Sequence, residues 1–267
     1  MKKISERNEH VKLEKGYCVI CGQYGQLKKD HVPPQCALKP TALLQKTITE
    51  YFSSKDIPPI KARNGTVFKT ICYDCNSKVL GSMDAEIGRV TSEFTKQLIE
   101  YFNGHMFYGN NIAIKFDAIK FLRAMTGHVL AATSVKECLT PIADSPFYTP
   151  LRDFVLGKDI NISETHNFHY WFYPLKRQVT AQTVGFYNNG YFSICSCVHF
   201  YPIAFQITLK SQSTAPSHAY ELKPTDEYLH FNMSTHNIDY VTFPFINLKG
   251  NQLSLITSGL TCVSYPK

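Results

Sequence analysis

Apolar residues recur every three or four positions between Val79 and Phe102, at Val79, Leu80, Met83, Ile87, Val90, Phe94, Leu98 and Phe102. That spacing predicts one long helix with a single apolar stripe, which Gly81 and Gly88 weaken without breaking. Asn103-Gly104 gives it a natural stop. A second helix is predicted over "FDAIKFLRAMTGHVLAAT" (116–133), helped to start by Asp117. A short third is predicted over "TPLRDFVLG" (149–157), with Thr149 as cap and Pro150 in the first helical position.

From about residue 165 the texture changes. "NFHYWFYPL", "QVTAQTVGFYNNGYFSICSCVHFYPIAFQITL" and "DYVTFPFINL" are dense in aromatic and β-branched residues, as strands are. "YNNGY" reads as a hairpin turn between two of them. Toward the N-terminus, "GYCVICG" reads as a turn between short strands, and "LKKDHV" and "TVFKTI" (66–71) as strands. Residues 40–70 otherwise read as irregular. The expected fold class is α+β. Residues 1–104 form a small cysteine-rich module with its long helix, and residues 105–267 a helical connector and a β-rich domain. No internal repeat or low-complexity tract is present.

The 267 residues suffice for one large domain or two modest ones. No apolar run reaches the roughly 18 residues of a membrane span, and "MKKISERNEH" lacks the apolar stretch of a secretory signal, so the expectation is a cytoplasmic protein without membrane contact. The net charge of +7 is uneven: residues 1–104 carry 16 Lys/Arg against 11 Asp/Glu, and the remainder 12 against 10. A basic N-terminal part suits a nucleic-acid partner, and equally a surface with surplus lysine.

Nine cysteines in such a chain argue for thiols or metal ligands rather than disulfides. Cys18-x-x-Cys21 and Cys72-x-x-Cys75 each offer two thiolates from one tight turn. Two such turns complete the tetrahedron that Zn²⁺ prefers. A closed four-thiolate site leaves no position for water or substrate, so this zinc is expected to be structural. It would draw Asp30-His31, between the two pairs, toward Asn76, directly after the second.

The combination "CVIC … KDHVPP … ICYDCNSKVLGSMDAEI" resembles the HNH endonucleases, the ββα-metal nucleases, in their zinc-stapled form. The resemblance covers roughly residues 15 to 90. It implies that His31 is the general base for an attacking water. It implies that Asp30 and Asn76 are the carboxylate and amide ligands of a catalytic Mg²⁺ or Mn²⁺. Those types suit the chemistry, since a neutral His takes a proton near neutral pH and a hard cation prefers oxygen. The family pattern also places an Asn in the strand before the second cysteine pair. "TVFKTI" offers none, and Asn64, the nearest, sits upstream in the loop; either Asn64 fills the role after a loop excursion, or the role is lost or replaced.

Lys29, Arg63, Lys69 and Lys78 are candidate phosphate contacts, and equally ordinary surface charge. Asp84 and Glu86 either reach toward a metal or lie on a solvated helix face. "CSCVH" puts Cys195, Cys197 and His199 on one strand face, where core packing is the plainer reading than a second metal site. The same holds for His166 and His169. The expected activity is metal-dependent hydrolysis of DNA, RNA being an open alternative. Regulation by a protein partner or by self-association, as in an anti-phage effector, follows by analogy alone. The competing reading is a non-catalytic zinc adaptor that binds nucleic acid or protein.

Overall fold

In a computed structural model the chain is described for residues 3–7, 12–39, 41–104, 109–158, 161–188, 191–212, 218–233, 253–256 and 259–267. A hairpin opens it, strands β1 (Lys15–Tyr17) and β2 (Tyr24–His31) pairing antiparallel around the first cysteine turn. The chain then departs through β3 (Leu43–Thr47), a one-turn helix α1 (Ile48–Tyr51) and β4 (Ile60–Ala62). It returns as β5 (Val67–Cys72), which pairs antiparallel with β2 and completes a three-stranded sheet. Thr47 starts α1 with a capping box shared with Glu50. The expectation of irregular structure over 40–70 is therefore corrected.

The excursion matters because its strands join the other end of the protein. β3 pairs with β14 (Thr261–Pro266), and β4 pairs with β3 at the sheet edge. The sheet they enter also contains β7 (His166–Phe172), β8 (Gln178–Asn188), β9 (Tyr191–Phe200), β10 (Ile203–Leu209), β11 (Tyr220–Leu222) and β13 (Leu253–Ile256). Among the described residues it has nine strands, in the order β11-β7-β10-β9-β8-β14-β3-β4, with β13 on β8. A two-stranded ribbon pairs β6 (Asn111–Lys115) with β12 (Tyr228–Asn232). One apolar core runs from Ile4 through Leu27 and Phe68 of the small sheet to Phe168, Phe205 and Cys262 of the large one. Among the described residues, β3 and β4 from before residue 104 share this sheet with strands from after it. The fold class is α+β, as expected.

The long helix expected over 79–102 is interrupted. A π-helical turn covers Asp74–Leu80, and α2 starts only at Asp84, running to Phe102. The Gly81 N–H closes the wider turn on the Asn76 carbonyl at 3.1 Å. A side chain at 81 would meet the Ser77 carbonyl at 2.5 Å, so glycine permits the break. Asn103 caps the end of α2 and Gly104 follows with φ of 75°.

α3 (Ala118–Ala131) is capped by Asp117, which accepts from the Lys120 N–H. It is buried around most of its circumference, as a central helix must be. α4 (Tyr148–Val155) begins one residue before the expected Thr149 cap, and Ser145 Oγ accepts from the Phe147 and Tyr148 N–H groups instead. β8 and β9 pair up to Asn188↔Tyr191, as the "YNNGY" turn requires; residues 189–190 and the expected strand "DYVTFPFINL" lie outside the described residues.

Candidate functional site

Two turns place the cysteines. The first leaves β1, where the Gly22 N–H closes on the Cys18 carbonyl at 2.8 Å with φ of 76°, a left-handed conformation glycine adopts without strain. The second begins on the last residue of β5 and continues into the π-helical turn. All four sulfurs lie within 4.8 Å of one another, and no cysteine is in a disulfide. Cys21 and Cys72 are 3.7 Å apart. With Zn–S near 2.3 Å, a tetrahedron sets S···S at about 3.8 Å. Hydrogen bonds from Cys18 and Cys75 pull Cys21 down to about 4, whereas those with Cys18 and Cys21 push Cys75 up, so the cluster favours mixed protonation when no cation is bound. Four such thiols can hold a metal ion such as zinc.

β2 carries the Asp30-His31 pair. Its register against β5 runs Lys28↔Ile71 and then Asp30↔Phe68, a bulge with the extra residue on β5. Successive side chains of a strand point to opposite faces. Asp30 turns inward and is 4% exposed, while His31 faces a cleft and is half-buried. Burial lowers the His31 pKa, against the opposing pull of Asp30 and of the Asn64 backbone carbonyl, which hydrogen-bonds the ring. Gly65 follows in the cleft lining, and a Cβ there would stand 3.8 Å from the ring's Cδ2. The Gln35 amide nitrogen sits 3.0 Å from Nε2. Asn64, distant in sequence, is thus brought to His31 by the β3–β4 excursion.

Asp30 meets a residue that no motif announced. Its Oδ2 lies 3.0 Å from Nδ1 of His128 on α3, and the opposite ring nitrogen, Nε2, lies 2.9 Å from Oδ1 of Asp84, the first residue of α2. His128 is 1% exposed. Burial alone would hold it neutral, but the two carboxylates outweigh burial and push its pKa up to about 10. Asn76 donates its amide N–H to the Lys29 carbonyl at 2.9 Å, which ties the helical turn to the residue before Asp30.

The cleft in front of His31 has a volume of about 540 Å³ and includes Lys3, Lys29, Gln35, Ile60, Arg63 and Asn64 in its lining. One wall is β4 and the loop after it, so the large sheet contributes to the cleft. Of the four cations singled out in the sequence, Lys29 and Arg63 line it. Lys69 does not: it is buried and pairs with Glu14 Oε2 at 2.5 Å. Lys78 pairs with Asp74 on the exposed side of the π-helical turn. Glu86 holds Arg89 and the Asp117 N–H, so of the two acidic candidates only Asp84 reaches the site.

His128 had one sequence signal, the single titratable residue in the last two turns of α3. Cys195, Cys197 and His199 are buried in β9, and the cysteines belong to an apolar cluster, the packing reading. His166 and His169 are likewise buried. Among the described residues no helix is long and apolar enough to cross a membrane. No family model, curated protein or solved structure matches the chain.

Proposed function

We propose that the chain is a divalent-cation-dependent endonuclease of the HNH, or ββα-metal, type that hydrolyses DNA phosphodiester bonds, with structural zinc on Cys18, Cys21, Cys72 and Cys75. One observation carries the reading. The frame made by β2, β5 and the helical turn after the second cysteine pair puts His31 against the Asn64 carbonyl and Asn76 one peptide from Asp30. In this reading Asn64 does from the loop what the expected strand Asn would do.

A neutral His31 accepts the proton of the attacking water, and its lowered pKa favours the neutral form. The Asn64 carbonyl orients the ring. Lys29 and Arg63 hold the phosphate from the cleft walls. The oxygens present fit a hard cation: Asn76 anchors its amide nitrogen on Lys29, which turns its oxygen away, and Asp30 is held to His128 through one oxygen. Asp30 and Asn76 would hold Mg²⁺ or Mn²⁺, whose charge stabilises the phosphorane and the leaving oxygen.

The test is incubation of zinc-loaded protein with plasmid and Mg²⁺ or Mn²⁺, beside His31→Ala. The wild type is expected to nick plasmid and the variant to lose at least 100-fold in rate, the usual scale for a general base. Equal cutting by both removes His31 as base, and no cutting at all removes the nuclease reading.

A second reading, a zinc adaptor that binds without cutting, is favoured by one contact. Gln35 occupies the His31 nitrogen that would face the water. Gln35→Ala separates the two: a nuclease keeps or gains activity when that nitrogen is freed, and an adaptor stays inactive.

A further inference from the structure

Asp30 and Asn76 are each held by a third group. Asn76 is tied to the Lys29 carbonyl. Asp30 is tied to His128, which belongs to α3 and lies outside residues 15–90 that carry the nuclease pattern. A ring with carboxylates at both nitrogens donates at both, so it cannot rotate without losing one bond. The carboxylates stand on β2 and on the first residue of α2. His128 therefore joins three elements at one point. Its neighbour Gly127 lets this junction close, because a Cβ there would lie 2.2 Å from Leu80 Cδ2 at the end of the π-helical turn that carries Asn76.

An apolar residue would fill the same space on a helix that is otherwise apolar here. What the imidazole adds is a fixed orientation for Asp30: one oxygen is engaged by the ring, which sets the direction of the other. Groups that orient a metal's ligands in this way are worth roughly 10- to 100-fold in metal affinity.

We infer that His128 is a positioning residue that fixes the Asp30 carboxylate for a divalent cation, and that Asp84 fixes the His128 ring in turn. The inference rests on the nuclease reading of Asp30 and Asn76, and extends that site to a helix the family pattern does not include.

The experiment is Mn²⁺ binding, read from the loss of the free-ion electron paramagnetic resonance signal, on zinc-loaded wild type, His128→Leu and Asp84→Ala, with zinc content measured in each. His128→Leu is expected to keep its zinc and to weaken Mn²⁺ binding about 10- to 100-fold. Asp84→Ala, which leaves the Asp30 contact in place but frees the ring, is expected to weaken it by a smaller factor. A purely structural histidine would leave Mn²⁺ affinity unchanged in a variant that folds and keeps zinc, and that result overturns the inference. Should His128→Leu not fold, Asp84→Ala decides, because Asp84 is partly exposed and its removal opens no core; unchanged affinity there overturns the inference equally. Wild type that binds no Mn²⁺ overturns the nuclease reading itself, and the inference with it.

Discussion

Thr66 and Ser264, 198 positions apart in sequence, share a buried hydrogen bond of 2.8 Å. Gln45 donates to both, and Gln178 accepts from Thr66, so four side chains from β3, the residue before β5, β8 and β14 close one buried network. Thr66 also holds the chain after His31, since its carbonyl accepts from the Val32 N–H at 3.1 Å. The loop that carries Asn64 is thereby fastened to the large sheet.

Thr66→Val tests that fastening. It keeps the shape and removes the hydroxyl, leaving Gln45, Gln178 and Ser264 each short of a partner. A buried group left in that state costs about 1–3 kcal/mol. Urea unfolding should show a loss of that size with an unchanged m-value. A loss below ~0.5 kcal/mol would mean the network adds nothing beyond packing.

The four-cysteine cluster, read as a zinc site, predicts a stronger dependence. Ligand binding and folding are coupled where the ligands come from separate turns, here before β2 and after β5. Cys72→Ser should abolish stoichiometric zinc and lower the melting temperature steeply. Chelation of the wild type should do the same, reversed by added Zn²⁺. A variant that melts like the wild type with full metal content refutes the assignment.

Much of this was legible in the sequence, and the failures have physical causes. The cysteine turns, β5, α3 and the Asp30-His31 strand end could be read because local chemistry specifies each. The break at Gly81–Met83 could not, because Leu80, Met83 and Ile87 keep helical spacing across a turn of different width. β3 and β4 were missed because strands of five and three residues carry little alternation of their own, and β3 takes its place by pairing with β14, far away in the chain. Asn64 and His128 reach the site by tertiary contact alone. A pattern along the chain does not reveal which carboxylate a buried histidine will meet.

Acid should weaken the fold through His166. Its ring is buried, and burial depresses its pKa to about 4 against the opposing pull of a hydrogen bond to the Phe147 backbone. An unfolded histidine titrates near 6.5, so between these values the unfolded chain binds the extra proton. The contribution is fully present above about pH 6.5 and is lost as pH falls toward 4, on the order of 2–3 kcal/mol. Unfolding free energy measured from pH 7.5 to 4.5 should fall accordingly. His166→Gln, which does not titrate, should flatten that slope whatever its absolute stability. An unchanged slope means the decline comes from other groups.

The cleft makes a prediction that separates its cations from the rest. Arg63 and Lys29 line it beside His31, whereas Lys69 is buried on Glu14 and Lys78 faces Asp74. Each phosphate contact contributes about 0.9 to the slope of log K against log salt on duplex DNA. Arg63→Ala and Lys29→Ala should therefore weaken binding to a short duplex and lower that slope by about 1 each. Lys78→Ala should change neither. Lys69→Ala should cost stability while leaving the slope in place, since its charge already faces a carboxylate. Binding titrations from 50 to 200 mM salt on His31→Ala protein, which avoids cleavage, read all four. If Lys78→Ala lowers the slope and Arg63→Ala does not, the phosphate backbone runs over the exposed side of the π-helical turn and the cleft is not its path.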